Sequence, residues 1–536
     1  MQPRSDLPGH DVTNQPTARG DRNLWEDDPV LRCYAEAGDH VALRDLAESL
    51  GTVEMARLAQ EANRRLPELH SFDAGGRRLD EVQFSDAYHR FLTLGLEAGY
   101  AAGPWTGGTH LTHAAQVYLH SQVEPGTCCP MTMTYAAVPA LAGTDGVASR
   151  WVPKLTAHGY DPTVAPLSTK RAATTGMAMT EKQGGSDVRA NTTRAVRDAE
   201  GWRLTGHKWF CSAPMSDGFL TLAQTEAGLS CFLVPRWLED GTRNAIHLMR
   251  LKDKLGNKSN ASSEIEYHGA WAEMVGEDGR GIPAILAMVH HTRLDTAMAP
   301  AGLMRAALDH LGHWVRHRRA FQKHLIDQPL MRALLADLIL DWEGATALGL
   351  HVARAFDRRS EADRGFARVG VALAKFSANK LAPRVIGEAM EGLGGMGYVD
   401  DTPMPMLYRE APLNGIWEGS GNVICLDVLR SLARDTAARE AVEAELSVVT
   451  GANRVFDQAL ADHRTAWPEL PTEAEARFFC ERLALLLSAS VLIRHAPQAV
   501  AEAFCETRLT GHRGQIAGSL AGLDPAPLID RLGLEG

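Results

Sequence analysis

The period of the hydrophobic pattern changes twice along the chain, and this change constrains the fold more than any other feature. Up to about residue 172, and again from about residue 286, apolar residues recur at three- and four-residue steps, which is typical of amphipathic helices. Between them lie short runs such as "GHKWFCS", "GFLTLAQTEAGLSCFLVPRW" and "SSEIEYH", bounded by Gly, Pro, Asn and Asp, which favour strands. The sequence therefore predicts a mainly α protein with a central β domain.

The chain has 536 residues, which is too long for a single hydrophobic core and favours three or four domains. In the first helical region, "LRDLAESLGTVEMARLAQEANRRL" predicts an amphipathic helix. The predicted division is an extended N-terminal arm (1–22), an N-terminal helical domain (23–172), a middle β domain (173–285), a helical bundle (286–437) and an extra C-terminal helical domain (438–536).

Composition excludes several classes of protein. The net charge of −11 argues against nucleic-acid binding by the surface as a whole. The eight cysteines form no CxxC pair, which argues against a zinc site and a disulfide framework, so we expect no metal. No apolar run reaches about 18 residues, and the N-terminus lacks an apolar signal core. We therefore expect a cytoplasmic protein without membrane spans.

One glycine motif fits a dinucleotide fingerprint only superficially. "GLGGMG" (392–397) matches GxGxxG, but that fingerprint requires a preceding strand. Here the preceding "KLAPRVIGEAMEGL" has helical periodicity. The glycines are therefore interpreted as a helix end followed by a tight turn.

Two neighbouring stretches have the chemistry of a ligand site. In "GMAMTEKQGGSDVRANTTRA" (176–195), Gly184 and Gly185 would let backbone N–H groups approach a phosphate, and Thr180 and Ser186 add hydroxyl groups. In "GHKWFCS" (206–212), an aromatic pair could flank a flat ring. Spacing alone leaves the alternatives open, since the first stretch could be a solvated turn and the aromatic residues could belong to the core.

A third stretch carries a candidate base. In "IWEGSGNVICLDVLR" (416–430), Glu418 follows Trp417 in an apolar approach. A carboxylate that loses hydration beside an aromatic ring has a raised pKa, which suits proton abstraction near neutral pH. The alternative is that Glu418 caps the helix that follows, and the residues alone do not separate the two.

Together these motifs resemble the acyl-CoA dehydrogenase family, which has a T-E-x-x-x-G-S-D loop, a G-x-K-x-(aromatic)-x-(S/T) strand and a late aromatic-E-G turn. Several stretches are similar in sequence to the AidB-like subfamily. They are "MTEKQGGSDV", "RLKDKLGN", "SNAS", "YRE" and "IWEGSGN", together with the early "NQP" and Glu391 in "EGLGGMGY". The resemblance covers essentially the whole chain. It implies the acyl-CoA dehydrogenase fold of helical domain, β-barrel and helical bundle, here with an extra C-terminal helical domain, and it implies FAD as the cofactor.

The resemblance also assigns roles to individual residues. Glu418 is implied as the catalytic base, which takes the α-proton of an acyl thioester while the β-hydride passes to flavin N5. Arg318, Gln328, Glu391 and Gly395 are implied to reach the FAD of a neighbouring subunit, although Gln322 stands where the family has Gly. The full set of implied cofactor contacts is Met179, Thr180, Gly185, Ser186, Phe210, Ser212, Arg318, Gln328, Glu391, Gly395, Ile416, Trp417, Ser420 and Asn422.

The implied partners are an acyl thioester, carried by CoA or a carrier protein, and further copies of the chain in a homotetramer. No residue decides whether the electron acceptor is a flavoprotein or oxygen. The AidB resemblance also raises the alternative of a DNA-associated flavoprotein of the alkylation response with vestigial dehydrogenase activity. Residues 440–536 hold eight Arg and no Lys against fourteen Asp and Glu, which disfavours DNA binding, although Arg508 and Arg513 could share a face.

Overall fold

Helices and one hairpin form the first part of the chain in the computed structural model, which describes residues 3–533. Two short paired strands, β1 (Asp6–Leu7) and β2 (His10–Asp11), come before them. The elements that follow are α1 (Pro29–Tyr34), α2 (His40–Leu50), α3 (Val53–Arg64), β3 (Glu68–Phe72), β4 (Arg78–Gln83), α4 (Asp86–Glu97), α5 (His110–Ser121), α6 (Cys128–Leu141) and α7 (Asp145–Leu155).

This region differs from the sequence-based prediction in two places. The predicted amphipathic helix is two helices, because Thr52 starts α3 by accepting a hydrogen bond from the Met55 N–H at 3.2 Å. The β3–β4 hairpin was not predicted. Its turn is held by Asp73, whose carboxylate accepts the N–H groups of Gly75 and Arg77 at 2.8 and 2.9 Å.

The middle of the chain forms a closed β-barrel. Its strands are β5 (Thr175–Ala178), β6 (Arg194–Arg197), β7 (Trp202–Ser212), β8 (Gly218–Gln224), β9 (Leu229–Pro235), β10 (Ile246–Leu251) and β11 (Ser262–Val275). The ring runs β11–β7–β6–β8–β9 and returns to β11, with β10 and β5 attached to β11 and β8. Large side chains including Phe219, Phe232 and Tyr267 fill its interior. The predicted central β region is thus confirmed as a barrel.

Long antiparallel helices form the third part. They and their connections are α8 (Gly281–His317), β12 (Arg319–Ala320), β13 (Lys323–His324), α9 (Pro329–Asp357), α10 (Glu361–Gly392), α11 (Gly395–Tyr398), α12 (Met404–Glu410) and α13 (Gly421–Arg434). Helix α8 begins five residues before the expected return of helical periodicity. The α10 helix ends at Gly392 and Gly394 has a φ of 61°, so "GLGGMG" is the predicted helix end and turn.

Five further helices close the chain: α14 (Thr436–Ser447), α15 (Arg454–Ala466), α16 (Ala476–His495), α17 (Gln498–Arg508) and α18 (Ala526–Ile529). Helix α14 spans the expected boundary at residues 437 and 438, and the division into domains stays a prediction. Throughout residues 3–533, every helix is too short or too polar to serve as a membrane span. The same residues bring together no group of three His, Cys, Asp or Glu side chains suited to a metal.

Arg508 and Arg513 share a face, but this face is turned inward. Arg508 donates to Asp341 Oδ1 at 2.9 Å and lies within 2.6 Å of Asp337 Oδ1, while Arg513 reaches both carboxylates at 3.0 Å. Asp337 and Asp341 lie on α9 and are buried. These arginines therefore join the C-terminal helices to the bundle rather than present charge to a phosphate backbone.

Candidate active site

Glu418 lies in the short turn that leads into α13, and its side chain turns towards α8. The Thr292 hydroxyl on α8 donates a hydrogen bond to Glu418 Oε2 at 2.6 Å. The N-cap of α13 is Ser420, which follows Glu418 by two residues. The structure thus favours the interpretation as a site residue over the capping alternative.

The backbone of this turn is strained and is held by two buried cations. Glu418 has a φ of 57° and Gly419 a φ of 100°, both in the left-handed region. Lys375 on α10 donates to the carbonyl oxygens of Asn414 and Gly419 at 2.8 and 2.9 Å, and Arg293 on α8 donates to the Glu418 carbonyl oxygen at 3.3 Å. Sequence analysis missed both cations, because they lie 43 and 125 residues away from Glu418 along the chain.

The electrostatic surroundings of Glu418 are mixed. Burial raises the pKa of Glu418 above its ordinary value, while the Thr292 hydrogen bond and the charge of Lys375 oppose this rise. Burial also lowers the pKa of Lys375 to about 7, against the opposing attraction of Glu418. The pKa of Glu418 is therefore raised in the direction of neutral pH, which suits a general base.

A narrow cavity opens in front of Glu418, between α5, α6 and α8. It is lined by Tyr100, Val117, Pro125, Cys128, Cys129, Thr132, Met133, Asp295, Thr296, Ala299, Glu410, Asn414, Trp417 and Glu418. Trp417 is oriented by a hydrogen bond from its indole N–H to Asn414 Oδ1 at 2.6 Å. Glu418 thus faces a narrow space with room for a small group.

The loop that follows β5, within the stretch 176–195, and the strand "GHKWFCS" lie side by side at one edge of the barrel. The Trp209 N–H donates to the Thr180 carbonyl oxygen at 2.7 Å, so Met179 and Thr180 lie next to the end of β7. Gly185 packs on Thr180 so closely that a Cβ atom there would lie 2.3 Å from the Thr180 hydroxyl oxygen. Ser186 is exposed in the same loop.

A buried ion pair that sequence analysis missed fixes this loop. Lys208 on β7 donates to Glu181 Oε1 at 2.8 Å, and both side chains are 0% exposed. The backbone N–H groups of Thr192 and Thr193 donate to the same carboxylate at 2.7 and 3.1 Å. Burial lowers the pKa of Lys208 to about 8, and Glu181 opposes this shift. The sequence did contain a signal for this ion pair, because Lys208 stands at an inward-facing position of the strand "GHKWFCS".

The barrel edge and the cavity meet at Cys129. Burial raises the pKa of the Cys129 thiol to about 12, and both Glu418 and the Ser212 hydroxyl are near enough to act on it. Ser212 ends β7, and the Phe210 ring, two residues earlier, is 47% exposed. The structure therefore brings the loop, the strand end and Glu418 to one place.

The remaining predicted residues divide between this place and a distant one. Ile416 is exposed, Ser420 is the N-cap of α13, and Asn422 accepts a hydrogen bond from Arg477 of α16 at 2.9 Å. Arg318 and Gln328 instead flank the β12–β13 turn, where the side-chain amide of Gln328 donates to the Ala320 carbonyl oxygen at 3.1 Å.

This distant surface, formed by the β12–β13 turn and the end of α10, lies at the far end of α8. The 26 residues from Thr292 to Arg318 correspond to about 39 Å along the helix. Glu391 and Gly395 lie at this end too, because Gly392 packs against Leu311 of α8. Phe321 and Gln322 have φ angles of 50° and 68°, so the turn keeps a left-handed conformation although Gln322 replaces the family's Gly.

The residues at the barrel edge suit a flavin dinucleotide. Phe210 offers an exposed aromatic ring, Thr180 and Ser212 offer hydroxyl groups, and the glycine loop leaves room for a pyrophosphate. The apolar Ile416 side chain, 66% exposed, lies two residues before Glu418 in the sequence. The donor set fits a flat ring joined to a phosphate-containing chain.

Comparison with protein families gives three matches in chain order. Residues 14–162 match the family described as "Adaptive response protein AidB N-terminal domain". Residues 176–270 match "Acyl-CoA dehydrogenase, middle domain", and residues 279–433 match "Acyl-CoA dehydrogenase, C-terminal domain".

Individual relatives agree with these matches. The chain is 43% identical to AidB of Escherichia coli (strain K12) over 519 residues, covering 94% of this chain and 95% of the relative. It is 33% identical to acyl-CoA dehydrogenase family member 11 of Caenorhabditis elegans over 76% of this chain and 70% of the relative. The crystal structure of Caenorhabditis elegans ACDH-11 in complex with C11-CoA matches with a TM-score of 0.84 and 29% identity, covering 96% and 95% of the two chains.

Proposed function

Because the chain belongs to the acyl-CoA dehydrogenase family, in which FAD is the cofactor, we propose that it dehydrogenates an acyl thioester between Cα and Cβ with Glu418 as the base. The observation that carries this proposal is the geometry of Glu418. Its carboxylate faces a narrow cavity, is oriented by Thr292 at 2.6 Å, and has a raised pKa because it is buried.

In this proposal the chain's own residues position the substrate and move one proton. The Glu418 carboxylate removes the α-proton, and its backbone N–H donates to the thioester carbonyl oxygen as charge develops there. Lys375 and Arg293 keep that N–H in place through the carbonyl groups of the turn. Trp417 and the walls of the cavity exclude water from the reacting carbon.

FAD would be held at the barrel edge and would accept the β-hydride when bound. Met179, Thr180, Phe210 and Ser212 would contact the ring system, and Gly185 and Ser186 the pyrophosphate region. The turn that carries Glu418 would approach the FAD from the other side, through Ile416, Trp417, Ser420 and Asn422. The assignments at the barrel edge rest on the shared location of β7 and the loop that follows β5. The hydrogen bond from the Trp209 N–H to the Thr180 carbonyl oxygen joins these two segments.

The distant surface supports a homotetramer in this proposal. Arg318, Gln328, Glu391 and Gly395 lie near the far end of α8, too far from an FAD bound beside Glu418 of the same chain, so they would contact the FAD of a neighbouring copy. Large apolar side chains are exposed there, with Phe321 at 93%, Leu330 at 86% and Tyr398 at 82%.

We place the protein in the cytoplasm because all eight cysteines are unpaired.

The test compares Glu418 with another carboxyl group of the cavity, Glu410. Burial raises the pKa of Glu410 to about 7, but Asn257 occupies both of its oxygens. Glu418→Gln is expected to retain FAD and to slow anaerobic flavin bleaching by acyl-CoA by about a thousandfold or more. Glu410→Gln is the matched control and should bleach at a similar rate to the wild type. The reverse pattern would transfer the role of base to Glu410.

The second candidate function is that of a DNA-associated flavoprotein. The sequence identity to AidB of Escherichia coli is the observation that favours it. The C-terminal block opposes it, because residues 440–536 are net acidic and Arg508 and Arg513 are bound to Asp337 and Asp341. We therefore favour the dehydrogenase.

A further inference from the structure

Besides Glu418 and Glu410, the cavity has a third carboxyl group, that of Asp295. Asp295 follows Thr292 by three residues on α8, which places it about one helical turn, or 5 Å, further into the cavity on the same helix face. Asp295 is 2% exposed, and its charge contributes to the raised pKa of Glu418, behind burial as the main cause. A carboxylate is an unusual group for the wall of an acyl-binding cavity, because burial of an ion is costly unless partners satisfy it.

Among residues 3–533, the partners of Asp295 leave one acceptor position free. His113 Nε2 lies 2.7 Å from Oδ1, while the hydroxyl groups of Thr132 and Tyr100 donate to Oδ2 at 2.6 and 3.3 Å. An ionised carboxylate offers about four lone-pair positions. Oδ2 is thus saturated by two donors and Oδ1 has one donor, so Oδ1 has room for one more.

The cavity is narrow and mostly apolar, but polar side chains lie around Asp295. The side chains of Tyr100, Thr132 and Thr296 line it together with the thiols of Cys128 and Cys129. An aliphatic chain in this space would remove the carboxylate from any remaining water without replacing the lost hydrogen bond. A chain that ends in a hydrogen-bond donor would supply that bond at the free position of Oδ1.

We infer that this site selects a short acyl group that carries a hydrogen-bond donor a few bonds beyond Cα, with Asp295 as the specificity-determining residue. The inference rests on the proposed function, since it takes Glu418 as the group that faces Cα. The donor is a hydroxyl group in the simplest case. The substrate class is accordingly that of short hydroxyacyl thioesters rather than plain fatty acyl thioesters.

The test measures binding, so that it does not depend on turnover. Titration calorimetry on FAD-loaded Glu418→Gln protein would compare 4-hydroxybutyryl-CoA with valeryl-CoA, which has the same number of heavy atoms but ends in a methyl group. One hydrogen bond to a buried charge corresponds to a preference of about tenfold or more for the hydroxyl compound. Equal affinity, or tighter binding of valeryl-CoA, would overturn the inference, as would failure of both to bind.

Two variants in the same background assign the preference to Asp295. Asp295→Asn keeps the shape and should reduce the preference below about threefold, while Asp295→Leu should reverse it. FAD content and thermal unfolding verify folding, and the Asn variant suffices if the Leu variant loses FAD. A preference unchanged in Asp295→Asn would remove the residue from this role. If the hydroxyl compound binds more tightly but neither compound bleaches the flavin of Glu418-containing protein, the proposed dehydrogenation fails while the binding inference stands.

Discussion

At the scale of single residues, the proton affinity of Glu418 is set by opposing contacts. Burial favours the neutral acid, whereas the Thr292 hydroxyl and the Lys375 charge favour the carboxylate. The Thr292 bond is short, at 2.6 Å, as expected for a bond to an ionised acceptor. This balance is open to experiment, because one donor can be removed without changing the number of charges.

Thr292→Val should raise the pKa of Glu418 further, because it removes a contact that lowers it. A base acts only when ionised, so the acidic limb of the kcat/KM profile for flavin reduction should move to higher pH. A bond worth about 1.5 kcal/mol corresponds to about one pH unit. Stopped-flow reduction across pH measures this. Thr346→Val is the control, because it removes a buried threonine hydroxyl on α9 that donates within its own helix, to the Trp342 carbonyl oxygen at 2.8 Å, and not to Glu418. An unmoved limb would contradict the assigned role of Thr292.

The Lys208–Glu181 pair gives a second prediction, on stability. Lys208→Met would leave the Glu181 carboxylate buried without its cation, which costs about 3–5 kcal/mol. We expect a lower midpoint of thermal unfolding and weaker retention of FAD, because Glu181 also holds the backbone of the loop. Lys182→Met is the matched control, since Lys182 is exposed in the same loop. Adding Glu181→Gln to Lys208→Met should restore part of the lost stability; no recovery would argue that Lys208 acts through packing alone.

At the scale of secondary-structure elements, sequence reasoning succeeded where a period extends over many residues. The change from helical to strand texture located the barrel, and the helical run before "GLGGMG" correctly excluded a dinucleotide fingerprint. It failed where a short local signal decided the structure. Thr52 interrupts a continuous apolar stripe by capping a new helix, and the Asp73 turn creates a hairpin within a helical region. Contacts distant in sequence, such as those of Lys375 with the turn that carries Glu418, have no period to reveal them.

The N-terminal arm is an element whose contacts suggest a role. The Asn14 side chain accepts the Arg319 N–H at 2.7 Å and donates to the Arg319 carbonyl oxygen at 2.9 Å. Arg318 in turn donates to the Asn14 carbonyl oxygen at 2.6 Å. Asn14 has a φ of 56°, which Asn tolerates better than most residues. The arm therefore orients the turn that is proposed to contact the FAD of a neighbouring copy.

Asn14→Ala should weaken FAD binding, because it removes two hydrogen bonds to Arg319 and places Ala at an unfavourable φ. We expect the dissociation constant for FAD, measured by titration of apoprotein, to rise by about tenfold. Gln15→Ala is the control, since Gln15 is the exposed neighbouring residue. Unchanged FAD affinity in Asn14→Ala would separate the arm from the flavin interface.

At the scale of the whole molecule, charge is distributed against nucleic-acid binding. The chain carries −11, and the C-terminal block contributes eight Arg against fourteen acidic residues. Burial would raise the pKa of Asp341, yet Arg508, Arg513 and Arg384 hold it at about 2, so Asp341 stays ionised at neutral pH. Composition could predict the sign of this charge. Only the structure shows that Arg508 and Arg513 form ion pairs with the buried carboxylates of α9.

The final prediction concerns duplex DNA. Affinity for DNA depends on cations that displace counterions from phosphates, and it falls steeply with salt. With an acidic C-terminal block and its paired arginines turned inward, we expect anisotropy titrations with a labelled duplex to show no tight binding at about 150 mM salt. Reversing the charge of exposed Glu473 and Glu481 to Lys should raise affinity and steepen its salt dependence, whereas changing them to Gln should do so less. Sub-micromolar binding by the wild type at that salt would instead favour the DNA-associated alternative, and loss of that binding in Arg454→Ala would locate it on the C-terminal block.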